Sequence, residues 1–233
     1  MRKIVYLAAA ALFCASCFHV NSNFNPVRVN GKNTVKGEGN VISKSFDLKD
    51  FDAIEINGQA SDAVFTQSSE YEVTLRTHEN LIDIMNYHVE GTTLVIETKD
   101  KQGFRAEEFD LMIKAPTLKR LEVNGATDFD IPGGLVSEGD LKVEINGAGD
   151  LDLKQIRCAS LEVNVNGAAD LDVSDIDVQK LDIQVNGAGD VILSGKAGNA
   201  SFEVNGAGDI DARNLSVAGE VKKRKAGVAS IKL

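Results

Sequence analysis

From residue 121 to residue 217, apolar and polar positions alternate in short runs separated by one recurring break. Leu141, Val143 and Ile145 alternate with Lys142 and Glu144, and the pattern returns at Leu161, Val163, Val165 and at Leu181, Ile183, Val185. After the break, Leu151 and Leu153 alternate with Asp150 and Asp152, and a third apolar pair follows at Ile156 and Cys158, then at Ile176 and Val178. Period two with one apolar face predicts strands buried on one side. The break reads VNGATDFDI at 123–131, INGAGDLDL at 145–153, VNGAADLDV at 165–173, VNGAGDVIL at 185–193 and VNGAGDIDA at 204–212. Its asparagines, Asn124, Asn146, Asn166, Asn186 and Asn205, are spaced by 22, 20, 20 and 19 residues, and Asn57 in INGQASDAV begins a more divergent copy. A fixed period of this length marks a solenoid whose turns bury their faces only by stacking. Three short strands per turn predict an all-β, right-handed parallel β-helix with about 20 residues per turn, the turns lying about 4.8 Å apart.

The residues at the break suit a tight corner. Gly147 and Gly149 permit positive φ or close backbone approach. Asparagine tolerates a left-handed backbone and, stacked on its counterpart, extends an amide ladder. The five asparagines are therefore expected to form one structural column. Asp128, Asp150, Asp170, Asp190 and Asp209 share the next corner position, with Asp130, Asp152, Asp172 and Asp211 two residues further on. Stacked carboxylates repel and need compensation. One reading is outward solvation helped by corner N–H groups; the other is Ca²⁺ held by Asp150, Asp170, Asp190 and Asp209. The spacing departs from the calcium nonapeptide, so no metal is expected by default. Cys158 falls in the column of Val178 and Val217, the place of a small core residue.

The flanks are less regular. Residues 41–120 carry strand chemistry at Phe51, Ile54, Ile56, Val64, Phe65, Val73 and Leu75, and the 67 residues from Asn57 to Asn124 allow about three turns with excursions. HENLIDIMNY at 78–87 is the one helix-like stretch. Residues 220–233 read as a degraded last turn, with AGVASI at 226–231 aligned on NGAGDI. In that register Lys223 and Lys225 take core positions, a device against end-to-end strand addition. The rival reading makes Lys222, Lys223, Arg224 and Lys225 a patch for anionic lipid or polysaccharide.

At the other end, Arg2 and Lys3 precede an apolar run from Ile4 to Phe13, and Ala15 and Ser16 lead into Cys17. Residues 1–16 read as a lipoprotein signal peptide, with Cys17 the lipidated residue. Residues 17–40 read as lipidated cysteine plus flexible tether, and 41–233 as the β-helical domain, regular over 121–219. Cleavage there leaves Cys158 without a partner for an intramolecular disulfide.

Charge narrows the function. The formal net charge is −10, and residues 121–219 hold 18 acids and six bases, so the acidity belongs to the repeat. Nucleic acid as a partner is excluded, since phosphate demands a basic footprint. A repeated carboxylate column offers no unique acid and base for glycoside hydrolysis. Tryptophan is absent, and Phe129 and Phe202 are the only aromatics in the repeat. His78 and His88 lie outside it with no metal spacing, and no nucleophile triad or phosphate loop is visible.

These corners, the opening FDLKDFDAIEINGQASDAVFTQ, VEGTTLVIETK at 89–99 and DLMIKAPTLKRLEVNGATD at 110–128 together resemble the auto-transporter adhesin head GIN domain family of bacterial envelope proteins. The family commonly shows serine where this chain has its corner asparagines. The resemblance spans about residues 45–233 and implies a β-helical, often lipid-anchored envelope domain. The resulting expectation is a non-enzymatic adhesin or interaction surface, bound to the membrane through its lipid. Its site would be the outer membrane, at the periplasmic face or the surface. Partners would be an envelope protein or a polysaccharide, and homo-oligomers are possible partners too. A carbohydrate-active β-helix enzyme and a purely structural module are the alternatives.

Overall fold

The computed structural model describes residues 34–101 and 103–233. Cys17, the signal segment and the tether up to residue 33 lie outside the described residues. The first half contains β1 (Val35–Lys36), β2 (Val41–Phe46), β3 (Ala53–Gln67), β4 (Glu72–His78), a single helical turn α1 (Glu79–Ile82), β5 (Met85–Glu90), β6 (Thr93–Thr98), β7 (Phe104–Arg105) and β8 (Phe109–Ala115). The second half contains β9 (Arg120–Ile131), β10 (Leu135–Val136), β11 (Asp140–Ala148), β12 (Leu151–Lys154), β13 (Ile156–Ala168), β14 (Leu171–Ala188), β15 (Val191–Val217) and β16 (Val221–Lys232).

From β9 onward every pairing is parallel and in register with the repeat: Asn124 beside Asn146, Asn146 beside Asn166, Asn166 beside Asn186 and Asn186 beside Asn205. The fold is thus a parallel β-solenoid. The alternating apolar residues point inward and stack in columns such as Leu121, Val143, Val163, Ile183, Phe202 and Val123, Ile145, Val165, Val185, Val204, all of them buried. Where Phe202 enters its column, Ala197, Ala200 and Ala212 occupy other inward positions nearby, so side-chain volume is balanced. Cys158 stacks on Val178, as a small apolar residue does.

The interval between Asn57 and Asn124 departs from expectation. It holds no stacked solenoid turns, because β3 pairs directly with β9 and places Asn57 beside Asn124. The intervening residues form an end cap instead. β8 and β6 pair parallel with the two halves of β3, while β4 runs antiparallel to β8 and β2, and β5 antiparallel to β6. Alternation reports which face is buried but not strand direction, so parallel turns and hairpins look alike in sequence. The usable signal was VEGTTL, where Gly91 at φ +62 opens a two-residue turn between Glu90 and Thr93.

Two smaller differences follow from the same cap. The helix-like stretch shrinks to one turn, because from Met85 the chain pairs with β6 as a strand. Val35 and Lys36, placed in the tether by sequence, pair with Phe104 and Arg105 of β7, so the fold begins before residue 41.

Candidate functional site: the outward columns

The strands that send valines and leucines inward send polar side chains outward in equally regular columns. The central outward column is the asparagine series. Asn124 Nδ2 donates to Asn57 Oδ1 at 3.0 Å, Asn146 to Asn124 at 2.9 Å, and Asn166, Asn186 and Asn205 each to the preceding asparagine at 3.0 Å. The ladder therefore joins six residues and includes the divergent Asn57. None of these asparagines has positive φ, so the left-handed tolerance offered as one reason for the residue plays no part. The hydrogen bond alone accounts for it.

Two residues upstream, acids hold the second Nδ2 proton in four of the six turns, and Asn164 and Gln184 take that position in the other two. Asn57 donates to Glu55 at 2.7 Å, Asn124 to Glu122 at 2.9 Å, Asn146 to Glu144 at 3.3 Å and Asn205 to Glu203 at 2.9 Å. Two of these glutamates are further compensated by bases in the next column: Arg120 pairs with Glu122 at 2.6 Å, and Lys142 lies 4.0 Å from Glu144. On the far side of the asparagines, Ala126, Ala148, Ala168, Ala188 and Ala207 form an exposed stripe in register. The result is a flat surface of amide, carboxylate and methyl columns, with its amides locked in place.

The neighbouring glycines explain how turns approach so closely there. A Cβ on Gly147 or Gly187 would lie 1.8 or 1.9 Å from the carbonyl oxygen of the glycine stacked against it. Glycine is needed for the contact between turns, beyond the bend itself.

The aspartate column is held differently. Asp150 N–H donates to Asp128 Oδ1 at 2.9 Å, Asp190 N–H to Asp170 Oδ1 at 2.8 Å and Asp209 N–H to Asp190 Oδ1 at 2.9 Å. Burial, and then the charges of Asp128 and Asp170, push the Asp150 carboxyl above its ordinary range. Asp130 is raised likewise by burial and by Asp152. At the opposite end of the column, the hydrogen bond from Lys232 lowers Asp209, and Arg213 holds Asp211 down at about 2. Asp150, Asp170, Asp172 and Asp190 border an open depression of about 360 Å³, into which Ile192 projects from the position beside Asp172. Among the described residues no three His, Cys, Asp or Glu side chains converge as metal ligands. The aspartates are arranged as acceptors for backbone N–H groups, each through one carboxylate oxygen.

The remaining candidates separate from this surface. Phe129 and Phe202 are fully buried core residues, unavailable for sugar stacking. His78 Nδ1 lies 3.3 Å from the Gly39 carbonyl, and His88 Nδ1 lies 3.4 Å from Asn86 Nδ2. Cys158 is buried, donates from Sγ to the Ser160 carbonyl at 3.2 Å, and has its pKa pushed up to about 11 by burial. Lys223 and Lys225 sit beside Phe202 and Val204 in register, and both are exposed. The glutamate column beside the asparagines was missed in sequence, although the recurrence of Glu two residues before Asn was there to be read.

With this geometry in view, the family of the chain can be stated. Residues 50–233 match the family described as "putative auto-transporter adhesin, head GIN domain". The chain belongs to this family. No curated protein matches the chain. Solved structures resemble the GIN domain closely in fold. A "putative adhesin" from Parabacteroides merdae is 27% identical, with TM-score 0.74 over 85% of this chain and 83% of that one. A "putative adhesin" from Bacteroides fragilis is 19% identical, with TM-score 0.71 over 85% of this chain and 99% of that one. A "putative lipid binding protein" from Parabacteroides distasonis is 20% identical, with TM-score 0.74 over 86% of this chain and 96% of that one.

Proposed function

We propose that this GIN domain is a non-enzymatic adhesion or interaction module of the bacterial cell envelope, tethered through lipid on Cys17 in the outer membrane. Its working surface is the outward face of the solenoid, which meets an extended polysaccharide or an envelope protein. The observation that carries the reading is the continuous ladder from Asn57 to Asn205, flanked in four of its turns by glutamates that accept a further amide proton. Such a surface presents the same amide and methyl pattern once per turn from Asn124 to Asn205, which suits a ligand that itself repeats. The carboxylates recur from turn to turn, which favours a repeating interaction surface over a single acid–base pair. Among the described residues no helix is long and apolar enough to cross a membrane.

The test is a glycan array and an envelope-protein pull-down with the chain from residue 34, alongside the double variant Asn146→Asp, Asn186→Asp. Binding to a polymer or envelope protein that falls at least tenfold in the variant supports the reading. Binding to neither class of ligand refutes it and favours a structural module. Radiolabelled palmitate incorporation that persists in Cys17→Ala would refute the anchor.

A further inference from the structure

The C-terminal end of the solenoid has a chemistry unlike the rest. Residues 220–233 hold five bases and one acid, in a chain of net charge −10. Their strand, β16, pairs along one edge with β15, and among the described residues no strand pairs with its other edge. Ala200 N–H donates to the Glu220 carbonyl at 2.9 Å, with Ala200 opposite Val221. In a parallel ladder, that register turns the N–H and C=O groups of Glu220, Lys222 and Arg224 toward β15, and those of Val221, Lys223 and Lys225 toward the free edge. A row of backbone donors and acceptors is therefore open for another strand.

The side chains along this edge are sorted in the same way. Lys222 pairs with Glu220 at 3.4 Å, Arg224 with Glu203 at 3.9 Å and Lys232 with Asp209 at 2.9 Å. Lys223 and Lys225 have no carboxylate partner among the described residues. They are the two whose register is inward, continuing the columns of Phe202 and Val204. A strand added here would lie about 4.8 Å from β16, with its own inward side chains stacked beside these two lysines. An aliphatic residue at either place would desolvate an unpaired cation, and a lysine would repel it. A carboxylate would neutralise it. The lysines thus reject generic strands and copies of β16 itself while leaving the edge competent for an acidic one.

We propose that the free edge of β16 is a strand-addition site for an extended acidic peptide segment, selected by Lys223 and Lys225. The site is independent of the outward asparagine face. Val228, 85% exposed on the same strand, adds apolar contact outside the core register.

The experiment uses the full chain in detergent and a fluorescent ten-residue peptide alternating threonine and glutamate. Three controls accompany it: the same peptide with a central proline, one alternating threonine and lysine, and polygalacturonate as a polyanion without a peptide backbone. Saturable binding of the acidic peptide is expected, weakened at least tenfold by the proline. Residue-resolved hydrogen exchange should show slowing at the Val221, Lys223 and Lys225 amides, with Lys222 and Arg224 unchanged. In K223E/K225E the preference should reverse toward the lysine peptide, and K223Q/K225Q, which removes charge without reversing it, should lose discrimination between the two. Absence of acidic-peptide binding at low salt overturns the proposal. So does polygalacturonate competing as well as the peptide with no amide protection, which would make the end a general polyanion patch.

Discussion

If close stacking of turns is what demands glycine at the corners, alanine should be most damaging where a turn lies beneath. Gly187 and Gly58 occupy the same column and both have positive φ, +147 and +126. A Cβ on Gly187 meets the Gly167 carbonyl oxygen at 1.9 Å, whereas a Cβ on Gly58 finds nothing within 4 Å. Real Cβ atoms essentially never approach closer than 3.0 Å, so in Gly187→Ala the two turns must part by about an ångström. That displacement breaks the 3.0 Å bond between Asn186 and Asn166 and strains the backbone ladder beside it. Two or three hydrogen bonds at about 1 kcal/mol each, plus about 1–2 kcal/mol for a non-glycine residue at positive φ, give about 3–5 kcal/mol. For a domain of this size the melting temperature should fall by about 10 °C or more. Gly58→Ala bears only the backbone penalty, about 1–2 kcal/mol and a few degrees. Thermal melts followed by far-ultraviolet circular dichroism provide the comparison. Equal losses in the two variants would refute the close-approach argument and leave backbone conformation as the whole reason for the glycines.

Five further outcomes are expected. Asn166→Ala removes one donated and one accepted ladder bond and should lower stability by about 1–2 kcal/mol in urea titration, whereas Asn166→Ser should retain part of it. Asp150 has its folded pKa raised by burial, so its ionised form weakens the fold and the penalty vanishes as pH falls through that pKa; Asp150→Asn should raise the melting temperature by about 1–2 °C at pH 7 and by nothing at pH 3. Asp211 is the reverse case, held at about 2 against an ordinary 3.8, so Asp211→Asn should lower the melting temperature at pH 7, with the difference shrinking as pH falls from about 4 to about 2. Cys158, with a pKa of about 11, should resist a thiol reagent at pH 8 until the domain is unfolded, and rapid labelling of the native chain would contradict its burial. Millimolar calcium followed by chelator should leave the melting temperature unchanged, because Asp128, Asp170 and Asp190 already accept backbone N–H bonds; a shift of several degrees would restore the cation reading.

The regular half of the fold was legible because each turn repeats the whole instruction. Leu181, Ile183 and Val185 specify a buried face, Asn186 and Gly187 specify the corner, and the same set recurs at a nearly constant spacing. Even the alignment of Ala226 on Asn205 emerged from that spacing, and β16 pairs in that register. The cap was not legible in the same way. Val73, Leu75, Leu94 and Ile96 are as buried as any solenoid residue, but their partners depend on strand direction, which alternation does not encode. The candidate surface was half legible: its asparagines stand out by recurrence, while Glu55, Glu122, Glu144 and Glu203 join them only when their carboxylates are seen to accept amide protons. The unpaired edge of β16 needed the hydrogen-bond phase, which only coordinates supply.

The two candidate surfaces differ in what folding has already settled. Along the asparagine column each side chain is held by the amide of an adjacent turn and four of the six also by a glutamate, and the alanine stripe has no rotamers to lose. Ordering a long polar side chain on binding costs about 0.5–1.5 kcal/mol, and on this face that entropy is lost during folding instead. Affinity for a repeating ligand would then accumulate turn by turn from individually weak contacts. Lys223 and Lys225 are the opposite case, exposed cations whose positions are set only by a partner's carboxylates. Contacts to the amides of the ladder should change less with ionic strength than those at β16, which should weaken steeply once the Debye length falls below about 10 Å. A salt titration therefore assigns any ligand of the domain to one surface or the other before a single residue is altered.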